Sequence, residues 1–287
     1  MALDSAREMA LVGGVDGSSA TWSITDRKIL QVAQGAGNGI HDVLVWKDSS
    51  AIIATTSGEV AVLENGEKVL SFTSHSGPAT ALALHPSGDL LASVGQQDRS
   101  LVLYDLPQQK EIARIITDSR RSLGLHEDHQ LTLSPALTCC QFHPDGHLLA
   151  AGTGKGQVKL FDVKSSALAA TFDLSGRIQA LSFSENGFWL AIATTGSSTA
   201  SIWDLRKTTE IKALDFGCRI DSIKFDYTGQ FLAGAGSDGV AVHYYDKGSK
   251  SWSEPLRKAL AAGAVEWGSQ AKSLIVLAMD GAVSVLQ

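Results

Sequence analysis

Proline, cysteine and methionine are scarce in this 287-residue chain: six, three and three. With so little proline and 44% apolar residues, the chain can bury a core and is not a disordered tail. Cys139, Cys140 and Cys218 make an odd count with two adjacent, which suits reduced thiols in a cytosolic or nuclear protein and argues against a disulfide scaffold. Positive charge is in deficit, with 24 Lys and Arg against 30 Asp and Glu and a formal net charge of −6. That balance argues against a dedicated nucleic-acid grip, which shows a basic stripe. No apolar run approaches the roughly 20 residues that span a bilayer. No basic-then-apolar leader opens the chain, and no 3.6-residue periodicity persists long enough for a helix.

What the chain does have is one phrase repeated seven times: an apolar run, a polar turn with Gly, a second apolar run, a small-residue turn and a third run. The clearest copies are 79–106, 137–163, 178–205 and 220–246. The residues closing each first run, Trp46, Leu84, Phe142, Phe183, Phe225 and Trp267, lie 38, 58, 41, 42 and 42 apart. Four of these intervals agree with the roughly 40–45-residue period of a WD40 propeller blade. The outlier contains an insertion, 117–135.

The turns give the same reading. Pro144-Asp145-Gly146, Glu185-Asn186-Gly187 and Tyr227-Thr228-Gly229 place Gly where a positive φ is needed between first and second strands. Asp16-Gly17, Asp238-Gly239 and Asp280-Gly281 signal tight hairpins between second and third strands. Ala92, Ala150, Ala151, Ala191, Ala193, Ala233 and Ala235 fill the second strands, where small side chains let neighbouring sheets approach. Third strands are expected near 21–24, 59–63, 101–106, 158–163, 201–205, 241–245 and 282–286, and outer fourth strands follow the first six. The expectation is therefore an all-β, seven-bladed WD40 β-propeller over 1–287, with blades near 1–34, 35–74, 75–117, 118–173, 174–216, 217–260 and 261–287. The chain starts inside the first unit and stops before a seventh outer strand. The seam between blades seven and one is thus expected to be incomplete.

Few residues suggest chemistry. His126-Glu127-Asp128-His129 carries metal-binding side chains, but it lies in the insertion with no helical periodicity to aim them, so it reads as a solvated loop. The cysteines lack C-x-x-C spacing, and neighbours on one strand point to opposite faces. Gly152-x-Gly154-x-Gly156 resembles a phosphate loop only superficially, because a strand rather than a helix follows it. No G-x-S-x-G elbow or H-E-x-x-H is present. No metal and no cofactor are expected. His75, Ser93, Asp98 and Tyr104 fit a polar chain that ties together the strands of one blade and rigidifies it.

Arg177 and Arg219 immediately precede the first strands of blades five and six, where other copies carry Ile40, Pro78, Ala136 and Ala261. That position opens on the face around the central channel. Two arginines there would suit carboxylate or phosphate, with pairing to acids such as Asp221 as the alternative. Arg99 and Lys155, in second-to-third-strand turns, extend the candidate partner-binding surface.

Segments 184–207 (SENGFWLAIATTGSSTASIWDLRK), 137–146 (LTCCQFHPDG) and 93–106 (SVGQQDRSLVLYDL) resemble the pre-mRNA-processing factor nineteen family, best over about 72–246. The resemblance implies the WD40 half of a splicing-associated ubiquitin ligase, whose catalytic U-box and oligomerising coiled coil lie N-terminal to the propeller and match nothing here. It implies a nuclear, monomeric, non-catalytic scaffold that recruits protein partners of the spliceosome-associated ligase complex, and ubiquitylation substrates. No membrane contact and no sequence-specific nucleic-acid contact are implied. Two rivals remain: a general WD40 adaptor in another nuclear or cytosolic complex, and a propeller enzyme with converging acids or histidines in its channel.

Overall fold

The computed structural model describes residues 1–4, 6–34, 37–47, 50–116 and 135–287. His126–His129 and most of the 117–135 insertion lie outside the described residues. Seven antiparallel sheets follow one another along the chain. Blade one holds Ala2–Leu3, Met9–Gly13, Ser19–Ser23 and Lys28–Ala33; blade two holds Ile40–Val45, Ala51–Thr55, Glu59–Glu64 and Glu67–Thr73. Blade three is Ala79–Leu84, Leu90–Gly95, Ser100–Asp105 and Lys110–Ile116. Blade four is Leu137–Phe142, Leu148–Thr153, Gln157–Asp162 and Leu168–Asp173, and blade five is Ile178–Phe183, Trp189–Thr194, Thr199–Asp204 and Thr209–Asp215.

Blade six contains Ser222–Phe225, Phe231–Gly236 and Gly239–Asp246, with its outer edge split into Ser251–Trp252 and Leu256–Lys258. Blade seven has three strands, Ala262–Trp267, Leu274–Ala278 and Val283–Leu286. A 3-10 turn at Ser269–Ala271 lies between the first two strands of blade seven. The molecule is a seven-bladed β-propeller of the WD40 type.

Its core is not central but lies between blades. Each of the six junctions from blade one to blade seven encloses its own buried apolar cluster. The second-strand alanines make this possible: Ala92, Ala150, Ala151, Ala191, Ala193, Ala233 and Ala235 are fully buried. Leucine at these positions would force adjacent sheets apart, and overpacking of this kind costs roughly 1–3 kcal/mol per site. Cys140 packs on the junction of blades three and four, and Cys139 on the opposite face against blade five.

The turns follow from local chemistry. Gly146, Gly187 and Gly229 sit at φ of 77°, 72° and 66°, a region open to glycine at no steric cost. The Gly152–Gly156 run is a hairpin: Gly156 turns it at φ 87°, and a Cβ there would strike the Leu174 carbonyl.

Two sequence assignments shift by one residue. The first strand of blade two ends at Val45, and Trp46 lies just beyond, its indole N–H donating to the Gly88 carbonyl of blade three at 2.7 Å. The counterpart of Arg177 in that blade is Gly39 rather than Ile40. Thr56 N–H donates to the Gly39 carbonyl as Thr195 N–H donates to that of Arg177, and the same bulge follows Ile40 and Ile178.

Candidate partner-binding face

Fourth-to-first-strand links and second-to-third-strand turns lie on one face, because strands alternate in direction within each blade. On that face blade three carries a continuous polar chain. The Tyr104 hydroxyl lies 2.9 Å from Ser93 Oγ, and Ser93 Oγ lies 2.6 Å from His75 Nε2. His75 Nδ1 meets Asp98 Oδ2 at 2.9 Å and Ser100 Oγ at 3.1 Å. With its Nδ1 proton directed at the carboxylate, His75 accepts from Ser93 at Nε2, and Ser93 accepts from Tyr104.

Arg114 closes the outer side, 3.7 Å from Asp98 and forked onto Glu111 at 3.0 and 2.8 Å. A Cβ at Gly95 would collide with Asp98 and His75, so glycine there makes room for the chain. Ser100 and Arg114 gave no spacing signal in the sequence.

The Ser93–His75–Asp98 order is that of a nucleophilic triad, yet it is sealed. Ser93 is fully buried, His75 is nearly so, and the Tyr104 hydroxyl caps the serine oxygen. A hydroxyl that no substrate can reach stabilises a blade and attacks nothing. Burial holds His75 below the usual imidazole range, against the opposing pull of Asp98. Burial pushes Asp98 upward, but the His75 hydrogen bond and charge and the Ser100 hydrogen bonds outweigh it and hold the carboxyl low.

The four basic candidates share this face but differ in surroundings. Arg219 donates from Nε to Asp221 at 2.9 Å, and its backbone N–H lies 3.5 Å from Asp238. The exposed Arg177 guanidinium has no hydrogen bond or ion pair among the described residues. Lys155 sits on the turn adjoining the Arg177 link, where Leu174 N–H donates to the Gly156 carbonyl at 2.8 Å. Arg99 belongs to blade three, held at φ 54° beside Asp98. The structure thus places Lys155 and Arg177 on adjoining loops, Arg219 in an ion pair one blade on, and Arg99 apart.

The first strands of the blades line a central channel of about 710 Å³. Inside it Lys224 Nζ meets Glu266 at 2.6 Å, and the Glu266 charge raises the lysine above its usual range. Asp42 also lines the channel; burial pushes its carboxyl up while it accepts the Leu82 backbone N–H at 2.8 Å. Cys139 is pushed up to about 11 by burial, so it is a neutral thiol rather than a nucleophile. Sequence reasoning missed these channel charges, because a lone Asp, Lys or Glu on a first strand carries no spacing signal. Among the described residues no group of three His, Cys, Asp or Glu could hold a metal ion.

Comparison with known proteins adds a family context. The chain is 30% identical to Pre-mRNA-processing factor 19 homolog 2 of Arabidopsis thaliana over 194 residues, 65% of this chain and 34% of that protein. This chain is similar to the pre-mRNA-processing factor 19 proteins. Pre-mRNA-processing factor 19 of Dictyostelium discoideum is 29% identical over 63% of the chain and 35% of its own length. Pre-mRNA-processing factor 19 of Bos taurus is 31% identical over 60% and 32%. The match therefore spans about a third of the length of each of these factor 19 relatives. Residues 42–173 also match the family described as Nucleolar protein 10-like, N-terminal domain.

Proposed function

We propose that this propeller is a non-catalytic scaffold in a splicing-associated complex, presenting its channel-mouth face to protein partners in the nucleus. In this reading it serves a ubiquitin ligase whose catalytic module lies elsewhere, and it recruits splicing components and ubiquitylation substrates. The observation that carries the reading is the similarity to pre-mRNA-processing factor 19 proteins over 60–65% of the chain, on a fold whose polar cluster is sealed from substrate. Arg177, with Lys155 beside it, is the contact proposed for a partner carboxylate or phosphate; Arg219 and Arg99 extend the surface. A stiff ring costs little ordering when it binds, so small loop contacts suffice for capture.

The test is affinity capture from nuclear extract with wild-type propeller and with Arg177→Glu/Arg219→Glu. Wild type is expected to retain pre-mRNA-processing proteins, and the folded double variant to lose them, at a cost of about 2 kcal/mol or more if these are hot spots. Capture of no splicing protein by the folded wild type would overturn the scaffold reading. Equal capture by both would overturn the arginine assignment alone. The family match over 42–173 favours a second reading, an adaptor in a different nuclear complex. Recovery of a partner set without splicing proteins would support it.

A further inference from the structure

Blades two to five turn apolar outer strands toward the next blade, and blade one does not. In blade two the residues so placed are Val60 with Phe72 and Val62 with Leu70, paired across the third and fourth strands. In blade four they are Val158 with Phe172 and Leu160 with Ala170. Blades three and five repeat the pattern with one polar member, Lys212. At the same register blade one carries Ser19 with Ala33 and Thr21 with Gln31.

The junction between blades one and two therefore has two unlike halves. Its inner half is tight: a Cβ on Gly13 would strike Ile40 and Val43 of blade two. Its outer half is a groove of about 620 Å³, walled by those four residues of blade one and by the two turns of blade two at 46–50 and 64–66. Gln31 Nε2 donates to the Asn65 carbonyl at 2.9 Å and ties the two walls together. Where the other junctions place Phe72 or Phe172, this one leaves room for a side chain from outside.

We propose that this groove receives the side chain of an arginine on an extended segment of a partner protein. Two charged residues line it. Lys47 is bonded to Asp89 at 3.0 Å, which leaves Glu64, exposed and without an ion pair among the described residues. Ser19, Thr21 and Ser50 add hydroxyls that make no side-chain hydrogen bond among the described residues. A guanidinium brings only donors, so it answers a wall of one carboxylate and several hydroxyls. Its aliphatic stem would lie along Met9, Leu11 and Leu63, as long basic side chains lie on apolar surface. An acidic guest would meet Glu64 with no free cation to offset it. The formal net charge of −6 draws a basic segment in the same direction.

The two turns of blade two lie on the face opposite the channel mouth. Occupancy here is thus independent of the contact assigned to Arg177, and either can fail without the other.

The probe is the tripeptide Gly-Arg-Gly, blocked at both ends and titrated onto the chain with carbon-13 methyl groups on its three methionines. Met9 lines the groove, Met1 lines the channel and Met279 is exposed on a turn of blade seven, so the labels report on three separate places. The Met9 methyl resonance is expected to shift and saturate while those of Met1 and Met279 stay put. Glu64→Gln, at an exposed position, is expected to weaken binding about three-fold or more. Gln31→Leu/Ala33→Phe copies Leu70 and Phe72 of blade two, fills the groove and should abolish the Met9 response in a chain whose Tm is not lowered. A Met9 resonance that does not move by about 20 mM peptide overturns the proposal. So does an equal response to Gly-Glu-Gly, equal affinity for the Glu64→Gln chain, or an undiminished response in the folded, filled variant.

Discussion

Ser93 shows how much one hydroxyl can hold in this ring. It receives Tyr104 on one side and serves His75 on the other, with all three side chains buried. Ser93→Ala leaves two buried polar groups unpartnered and is expected to cost about 2 kcal/mol or more, measured as a lower urea midpoint. The same chain predicts a pH effect. His75 binds its proton less readily in the fold than in the unfolded chain, where the ordinary value is 6.5. The unfolded state therefore takes up protons first, so the stability is present above that value and is lost as pH falls through and below it. The urea midpoint should drop between about pH 7.5 and about pH 5.5, and His75→Asn should flatten that drop while lowering the whole curve. Asp98, held low, contributes a separate loss at more acid pH. Blade five provides the contrast: Ile192 occupies the register place of Ser93, and the buried Trp203 Nε1 has no hydrogen-bond partner among the described residues. Stacking on Phe172, centroids 4.7 Å apart, holds that indole instead.

Neighbouring sheets are fastened by side chains reaching across to backbone. Asp42 accepts from Leu82 N–H, Gln141 from Phe183, Ser182 from Phe225 and Ser222 from Val265, each bond joining one blade to the next. His85 and His143 reach the carbonyls of Gly146 and Gly187 in the following blade and stack edge-on against Phe142 and Phe183. Ser182→Ala should strand a buried N–H at a cost of about 1–3 kcal/mol. The local readout is faster exchange at the Phe225 amide, with Ile178–Phe183 keeping its own ladder. None of these fasteners was legible beforehand. Strands and turns were, because alternation, Asp-Gly and small second-strand residues are local signals. A serine that meets a backbone amide about 40 residues away is indistinguishable in sequence from one that meets water. The same limit governs the arginines: Arg177 and Arg219 hold equivalent places, yet only Arg219 is drawn into an ion pair, by Asp221 two residues on.

At the scale of the whole molecule, the repeat interval determined the number of blades, since each unit must bury its face against a neighbour. Exchange at 9–23 and 274–286 is expected to be faster than at 178–204, because one flank of each seam blade lacks a buried cluster. Equal protection would overturn that expectation.

The Lys224–Glu266 pair couples the first strands of blades six and seven inside the bore. Drawing those two blades apart would leave a lysine without its counter-charge in a channel that it shares with Asp42. The hub therefore resists opening by electrostatics as well as by packing.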